Sequence, residues 1–194
     1  MSSPYIAGVS ALYKEVFRNP KSFEQLKTSI MNYAVPRKDR NRLLSSVLHQ
    51  GAGLVDIYDT LRANSFVYPS KINLNDTIHF NKYHTLTVYN AGSKEMKYKL
   101  SHLPAPSVNG YNKTLIRNYF QLEYFTKNHA SVTFEKDFVT VAPESSVKIF
   151  VTFAPPTNLP KNVHWFYSGW LEVIPLDETM PKMSVPYGKY IYLP

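Results

Sequence analysis

The chain has 194 residues, of which 44% are hydrophobic and 14% aromatic, with 15 Tyr, 11 Phe and no cysteine. That composition excludes disorder, collagen and coiled coil for the whole chain, and it excludes disulfides, thiolate catalysis and iron–sulfur clusters. The net charge is 22 − 14 = +8, but 9 − 5 = +4 lies in residues 1–64 and 13 − 9 = +4 in the rest, so no single basic face marks a nucleic-acid partner.

Residues 1–64 are expected to be helical. Ser3 is placed as an N-cap with Pro4 at the first helical position, where a missing N–H costs nothing. The run from Tyr5 to about Phe17 is apolar all round and therefore needs cover on several sides. Asn19-Pro20 stops it. Ser22 is expected to cap a second helix with Gln25 as the capping-box partner, with an apolar stripe of Phe23, Leu26, Ile30 and Met31 and an end near Tyr33-Ala34. Pro36 to Arg42 forms a polar loop, Leu43 to Leu48 is ambiguous between strand and helix, Gln50-Gly51-Ala52-Gly53 is a turn, and Leu54 to Leu61 starts a last short helix.

From about Ser65 the period becomes two. Thr85 and Thr87 alternate with Leu86 and Val88. After Ala91-Gly92-Ser93, Met96, Tyr98 and Leu100 alternate with Lys97 and Lys99, which predicts a hairpin with one wet face. Further strands are predicted at 132–134, 138–141, 147–153 and 167–174. Proline-rich breaks at Pro104/Pro106, Pro143, Pro155-Pro156 and Pro160 separate these segments. Many short strands with frequent turns predict an antiparallel β-sandwich, so the fold class is α+β, with a helical segment 1–64 followed by a sandwich over 65–194.

The six histidines, His49, His79, His84, His102, His129 and His164, lack the spacing of a zinc motif, and neither a metal nor a cofactor is expected. Arg37-Lys38-Asp39-Arg40-Asn41-Arg42 reads as a solvated loop. Asn75-Asp76-Thr77 and Asn112-Lys113-Thr114 are N-glycosylation sequons. Tyr111, Tyr119, Phe120, Tyr124 and Phe125 lie in the segment 104–127, either as an exposed binding loop or as packing against the rest of the chain.

Met1-Ser2-Ser3-Pro4-Tyr5-Ile6-Ala7-Gly8-Val9 resembles the nucleophile motif of subtilisin-like serine proteases, Gly-Thr-Ser-Met-(Ala/Ser)-x-Pro-(His/Tyr)-(Val/Ile)-Ala-Gly. Ile30-Met31-Asn32-Tyr33-Ala34 and Gln50-Gly51-Ala52-Gly53-Leu54-Val55-Asp56 are similar to that family's next helix end and Gly-x-Gly segment. The resemblance implies that Met1, Ser2, Ser3 and Pro4 lie beside the active site. The nucleophilic serine would immediately precede Met1, and the Asp, His and oxyanion Asn would all be upstream. No catalytic residue is therefore assigned in this chain, which is expected to be inactive alone, with Met1 an internal residue of a longer protease. The first helix would lack the sheet it packs on and expose apolar surface, whereas the sandwich would fold by itself.

In the second half, Pro69 to Asp76, Thr85 to Gly92, Tyr167-Ser168-Gly169-Trp170-Leu171-Glu172-Val173 and Ser184-Val185-Pro186-Tyr187-Gly188 resemble, in order, strands of the Fn3-like domain of C5a-peptidase type that follows the catalytic domain of large subtilases. The resemblance implies a fragment of a secreted endopeptidase that acts on protein or peptide substrates, located outside the cell or at its surface. No transmembrane segment is expected. The rival expectation is a non-catalytic Fn3-like adhesion or protein-interaction module.

Overall fold

Period-two alternation builds most of the molecule. The computed structural model describes residues 2–17, 23–40, 42–112, 117–160 and 164–192. Among the described residues the strands are β1 (Ser65–Tyr68), β2 (Ile72–Asn73), β3 (Tyr83–Asn90), β4 (Met96–Pro104), β5 (Ser107–Asn112), β6 (Arg117–Phe125), β7 (Ser131–Phe134), β8 (Phe138–Val141), β9 (Ser145–Ala154), β10 (His164–Pro175) and β11 (Met183–Tyr192). One sheet runs β1-β3-β9-β7. The other runs β2-β11-β10-β4-β8, with β5 on the same edge of β10 as β4, and β6 on β5. All pairings are antiparallel except β2 with β11.

Leu86, Val88, Ile149, Val151 and Phe153 of the first sheet meet Tyr98, Leu100, Leu171, Val173 and Val185 of the second in one buried core. Each buried aliphatic side chain contributes about 1.5–3 kcal/mol relative to exposure, which is why the odd residues of β10 and the even residues of β3 point inward.

Residues 85–100 do not form the expected hairpin. β3 pairs with β1 and β9, and β4 with β10 and β8, so the connection crosses from one sheet to the other. The cause is Asn90. Its buried amide donates to the carbonyls of Lys94, Val141 and Ala142, while its Oδ1 accepts from Gly92 N–H. Those bonds hold the turn against the end of β8 rather than folding it back along β3. The segment 104–127 also gains structure, as β5 and β6 pair antiparallel with a register shift between Asn109 and Tyr111.

The helices are α1 (Ser2–Val16), α2 (Phe23–Asn32), α3 (Val47–Gln50) and α4 (Ile57–Arg62). α1 includes Ser2, so Ser3 sits within its first turn and is not the N-cap. Pro4 is accommodated because first-turn N–H groups have no intrahelical acceptor. The expected cap Ser22 lies outside the described residues. α2 buries only part of its expected apolar stripe. Phe23 is 75% exposed, whereas Leu26, Thr28, Ser29 and Asn32 are buried. The ambiguous 43–48 segment becomes a bridge at Leu44 and the start of α3, capped by the Ser46 hydroxyl accepting from Leu48 N–H. Leu54 is bridged to Val35, so the last helix begins later than expected, with Asp56 as its N-cap.

Candidate functional site

The residues expected beside an active site stand at the free end of α1. Ser3 and Pro4 are exposed, as are Tyr5, Ile6, Ala7 and Gly8, while Met1 and the side chain of Ser2 fall outside the described residues. A Cβ added at Gly8 would meet nothing within 4 Å. α1 is held by its other face. Val9 and Tyr13 are buried, and the Tyr13 hydroxyl lies 3.1 Å from Ser29 Oγ on α2.

From α2 onward the helical segment is fastened to the sandwich by buried polar groups. Asn32, fully buried, accepts from Val67 N–H on β1 at 2.7 Å and donates to Ser184 O on β11 at 3.4 Å. Tyr33 enters the core itself. Its hydroxyl donates to Ser65 O at 2.6 Å, and Ser65 Oγ lies 2.7 Å from the Tyr98 hydroxyl. Burial and neighbouring phenols push the Tyr33 pKa up. Ser184 Oγ donates to Ala34 O.

The glycine turn at 51–53 meets the outer face of β10. Trp170, fully buried, donates its indole N–H to Ala52 O at 2.9 Å, and Ser168 Oγ accepts from Val47 N–H and lies 3.2 Å from Ser46 Oγ. Gly53 has φ +131°, and a Cβ there would sit 2.5 Å from the Val35 carbonyl, so only glycine lets the Val35–Leu54 bridge close. Gly169 serves the inner side, since a Cβ at that position would lie 2.7 Å from the Tyr187 hydroxyl. That hydroxyl is instead 2.7 Å from His102 Nε2. Burial, and secondarily the nearby His129, push the His102 pKa down to about 4.

The remaining sequence candidates are scattered. Asn75 is exposed with φ +62°, and Asn112 ends β5, but Lys113 and Thr114 of its sequon lie outside the described residues. Of the aromatics in 104–127, Phe125 packs on Trp165 at 5.8 Å between ring centroids. Tyr124 meets Asp39 of the helical segment, and burial followed by that carboxylate raises the phenol's pKa. The side chains of Tyr111, Tyr119 and Phe120 are outside the described residues. Asp39 also accepts from Leu43 N–H and organises the basic loop into a turn. His79 pairs with Asp76 at 3.1 Å, and among the described residues no three His, Asp or Glu converge on a metal-sized site. The buried serine hydroxyls of 29, 46, 65 and 184 go to Tyr13, Ser168, Tyr98 and a backbone carbonyl, so these serines serve packing rather than nucleophilic chemistry.

The outer face of the first sheet is open and aromatic. Phe66 and Tyr89 stack at 4.7 Å and 12°, and with Glu24, Gln25, Thr28 and Tyr68 they line a groove of about 280 Å³ beside α2. Tyr83 and Phe150 are exposed on the same face. Asn32, Tyr33, Ala52 and Trp170 stand in the sequence only as members of family-like segments, with nothing to mark them as the groups that join the helices to the sandwich.

Two facing sheets, a central β10 buried on both sides and a chain crossing between the sheets after β3 define an antiparallel sandwich of the fibronectin-III kind. The chain belongs to the Fn3-like domain family, which it matches over residues 72–188. Over 107 residues, 53% of this chain, it is 36% identical to the Minor extracellular protease Vpr of Bacillus subtilis (strain 168), and it spans 13% of that protease's length. Among solved structures it is similar to the ASH/PapD-like domain of human CEP192, with TM-score 0.42, 17% identity, 68% of this chain and 85% of that one. It is also similar to the Escherichia coli chaperone DraB, with TM-score 0.36, 12% identity, 67% of this chain and 55% of that one. No helix among the described residues is long and apolar enough to cross a membrane.

Proposed function

We propose that the chain is part of a secreted subtilisin-like serine endopeptidase, with residues 1–64 as the C-terminal helices of the peptidase domain and 65–194 as its Fn3-like domain. The observation that carries this reading is the 36% identity to an extracellular protease over half of the chain. The nucleophile-motif resemblance at Met1 to Val9 supports it. The parent would hydrolyse peptide bonds through an acyl-enzyme, with the nucleophile, base and oxyanion donor supplied by residues N-terminal to those described. Met1, Ser2, Ser3 and Pro4 would then adjoin the reacting serine, and the positive end of α1 would favour developing negative charge beside it. The exposure of Ser3 through Gly8 agrees with a face meant for a missing layer. The Fn3-like domain supports the peptidase tail through Asn32, Tyr33 and Trp170, and the assembly operates outside the cell or at its surface.

The test has two arms. Upstream transcript sequence should encode Gly-Thr-Ser in frame before Met1, and an untranslated leader there would refute the reading. The purified chain should neither turn over a fluorogenic peptide nor react with a fluorophosphonate, and serine-dependent turnover would equally refute it. A second reading, a non-catalytic Fn3-like adhesion or protein-interaction module, is favoured by the open face of Tyr68, Tyr83, Tyr89 and Phe150. Capture of a defined glycan or protein by the chain, lost on mutating Phe150 and Tyr68, would support that reading.

A further inference from the structure

Lys189 breaks the pattern of its own strand. Met183, Val185, Tyr187 and Ile191 of β11 face the core, and Lys189 stands at the same parity between the last two, only 4% exposed. Its cross-strand neighbour is Tyr167, whose buried hydroxyl has no hydrogen-bond partner. The ammonium lies 3.5 Å from the Phe80 ring centroid. Among the described residues the ion pairs are Lys27–Glu24, Arg62–Asp59, His79–Asp76 and Lys182–Glu172, and none involves Lys189. Asp76 is the carboxylate that acts on it from farther away. Its Oδ1 is already engaged by the N–H groups of Ile78 and His79, and burial outweighs its pull, lowering the lysine's pKa.

A cavity of about 400 Å³ opens beside this cation. Pro155, Pro156, Leu159 and Ile191 supply apolar wall, and Thr77 and Asn158 supply polar groups. An ammonium withdrawn from water without a close anion is costly, and an aromatic face offsets only part of that cost. An entering carboxylate would complete the charge, and the apolar wall would receive whatever group carries it. The volume lies at the small end of ligand sites, which suits a body no larger than one or two residues. We propose that Lys189 and this cavity form a binding site for a carboxylate borne on a small apolar group, either the free C-terminus of a peptide or a short organic acid. The site is independent of the protease reading.

The test titrates the full, 15N-labelled chain with 4-phenylbutyrate, with its uncharged amide, and with the tripeptide Ala-Ala-Phe in free-acid and amidated forms. Saturable shifts of the Thr77, Asn158 and Ile191 amides are expected with the acids, and affinity about tenfold or more weaker with the amides. Lys189→Met should abolish the response and Lys189→Arg should retain it. Tighter binding of the tripeptide acid would assign a peptide terminus, and tighter binding of 4-phenylbutyrate a small acid. Absence of saturable shifts with both acids would overturn the site, as would equal binding of acids and amides. So would unchanged binding by a Lys189→Met variant shown to be folded by its thermal transition. If that variant does not fold, the acid-against-amide comparison on the unsubstituted chain decides.

Discussion

The two outer faces of the sandwich have opposite fates. On the second sheet the outward residues Ser168, Trp170 and Ser184 are at most 3% exposed, while on the first Tyr68, Tyr83 and Phe150 are 55–63% exposed. Hydrophobicity does not explain the difference, since the covered face contains serines and the open face aromatic rings. Partnership does. Each covered polar group meets a donor or acceptor from residues 32–52, and buried polar groups are tolerated when they are so matched. A sheet's outer face is therefore decided by what a distant segment offers it.

Breaking the covered face should have the largest effect. Trp170→Ala is expected to cost about 3–5 kcal/mol, from lost burial and an orphaned Ala52 carbonyl, measured as a drop in the urea midpoint. Asn32→Leu removes a buried amide that joins α2 to both β1 and β11, leaving Val67 N–H unpaired. A loss of about 1–3 kcal/mol is expected, with faster hydrogen exchange at Val67. The open face should scarcely respond, and Phe150→Ala is expected to stay within about 0.5 kcal/mol of the parent chain. A comparable loss at Phe150 and Trp170 would dissolve the distinction.

One effect should depend on pH. Folding keeps the His102 imidazole neutral down to about 4, while the unfolded chain takes up a proton near the ordinary 6.5. Stability is then full above that ordinary value and declines as pH falls between the two. His102→Gln should flatten this part of the profile, as read from urea midpoints at neutral and mildly acid pH.

The inward face of the sandwich is legible because alternation is local and strong: Leu86 and Val88 against Thr85 and Thr87, and Tyr98 and Leu100 against Lys97 and Lys99, name it directly. The hairpin at 85–100 was misread because Ala91-Gly92-Ser93 shows only that the chain turns. Which sheet it turns into is chosen by Asn90 reaching Val141, some fifty residues away. α2 buries Leu26 of its expected stripe but exposes Phe23 and buries Ser29 and Asn32 instead, because those two look solvent-facing until their partners on α1, β1 and β11 are known. The candidate site followed only from resemblance, and Lys189 was hidden because nothing near it in sequence signals that it points inward.

The Asn32–Ser184 contact carries a consequence for biosynthesis. Its two ends are separated by 152 residues, and β11 follows every other described strand in the chain. α2 therefore leaves the ribosome long before its acceptor exists, and its buried polar face must wait, hydrated, through the synthesis of nearly the whole sandwich. Closing so long a loop is slow rather than costly. α2, translated before the sandwich, should be among the last elements to find its full set of partners, and a ribosome stalled before β11 would hold a chain whose α2 has β1 but not β11 to dock on.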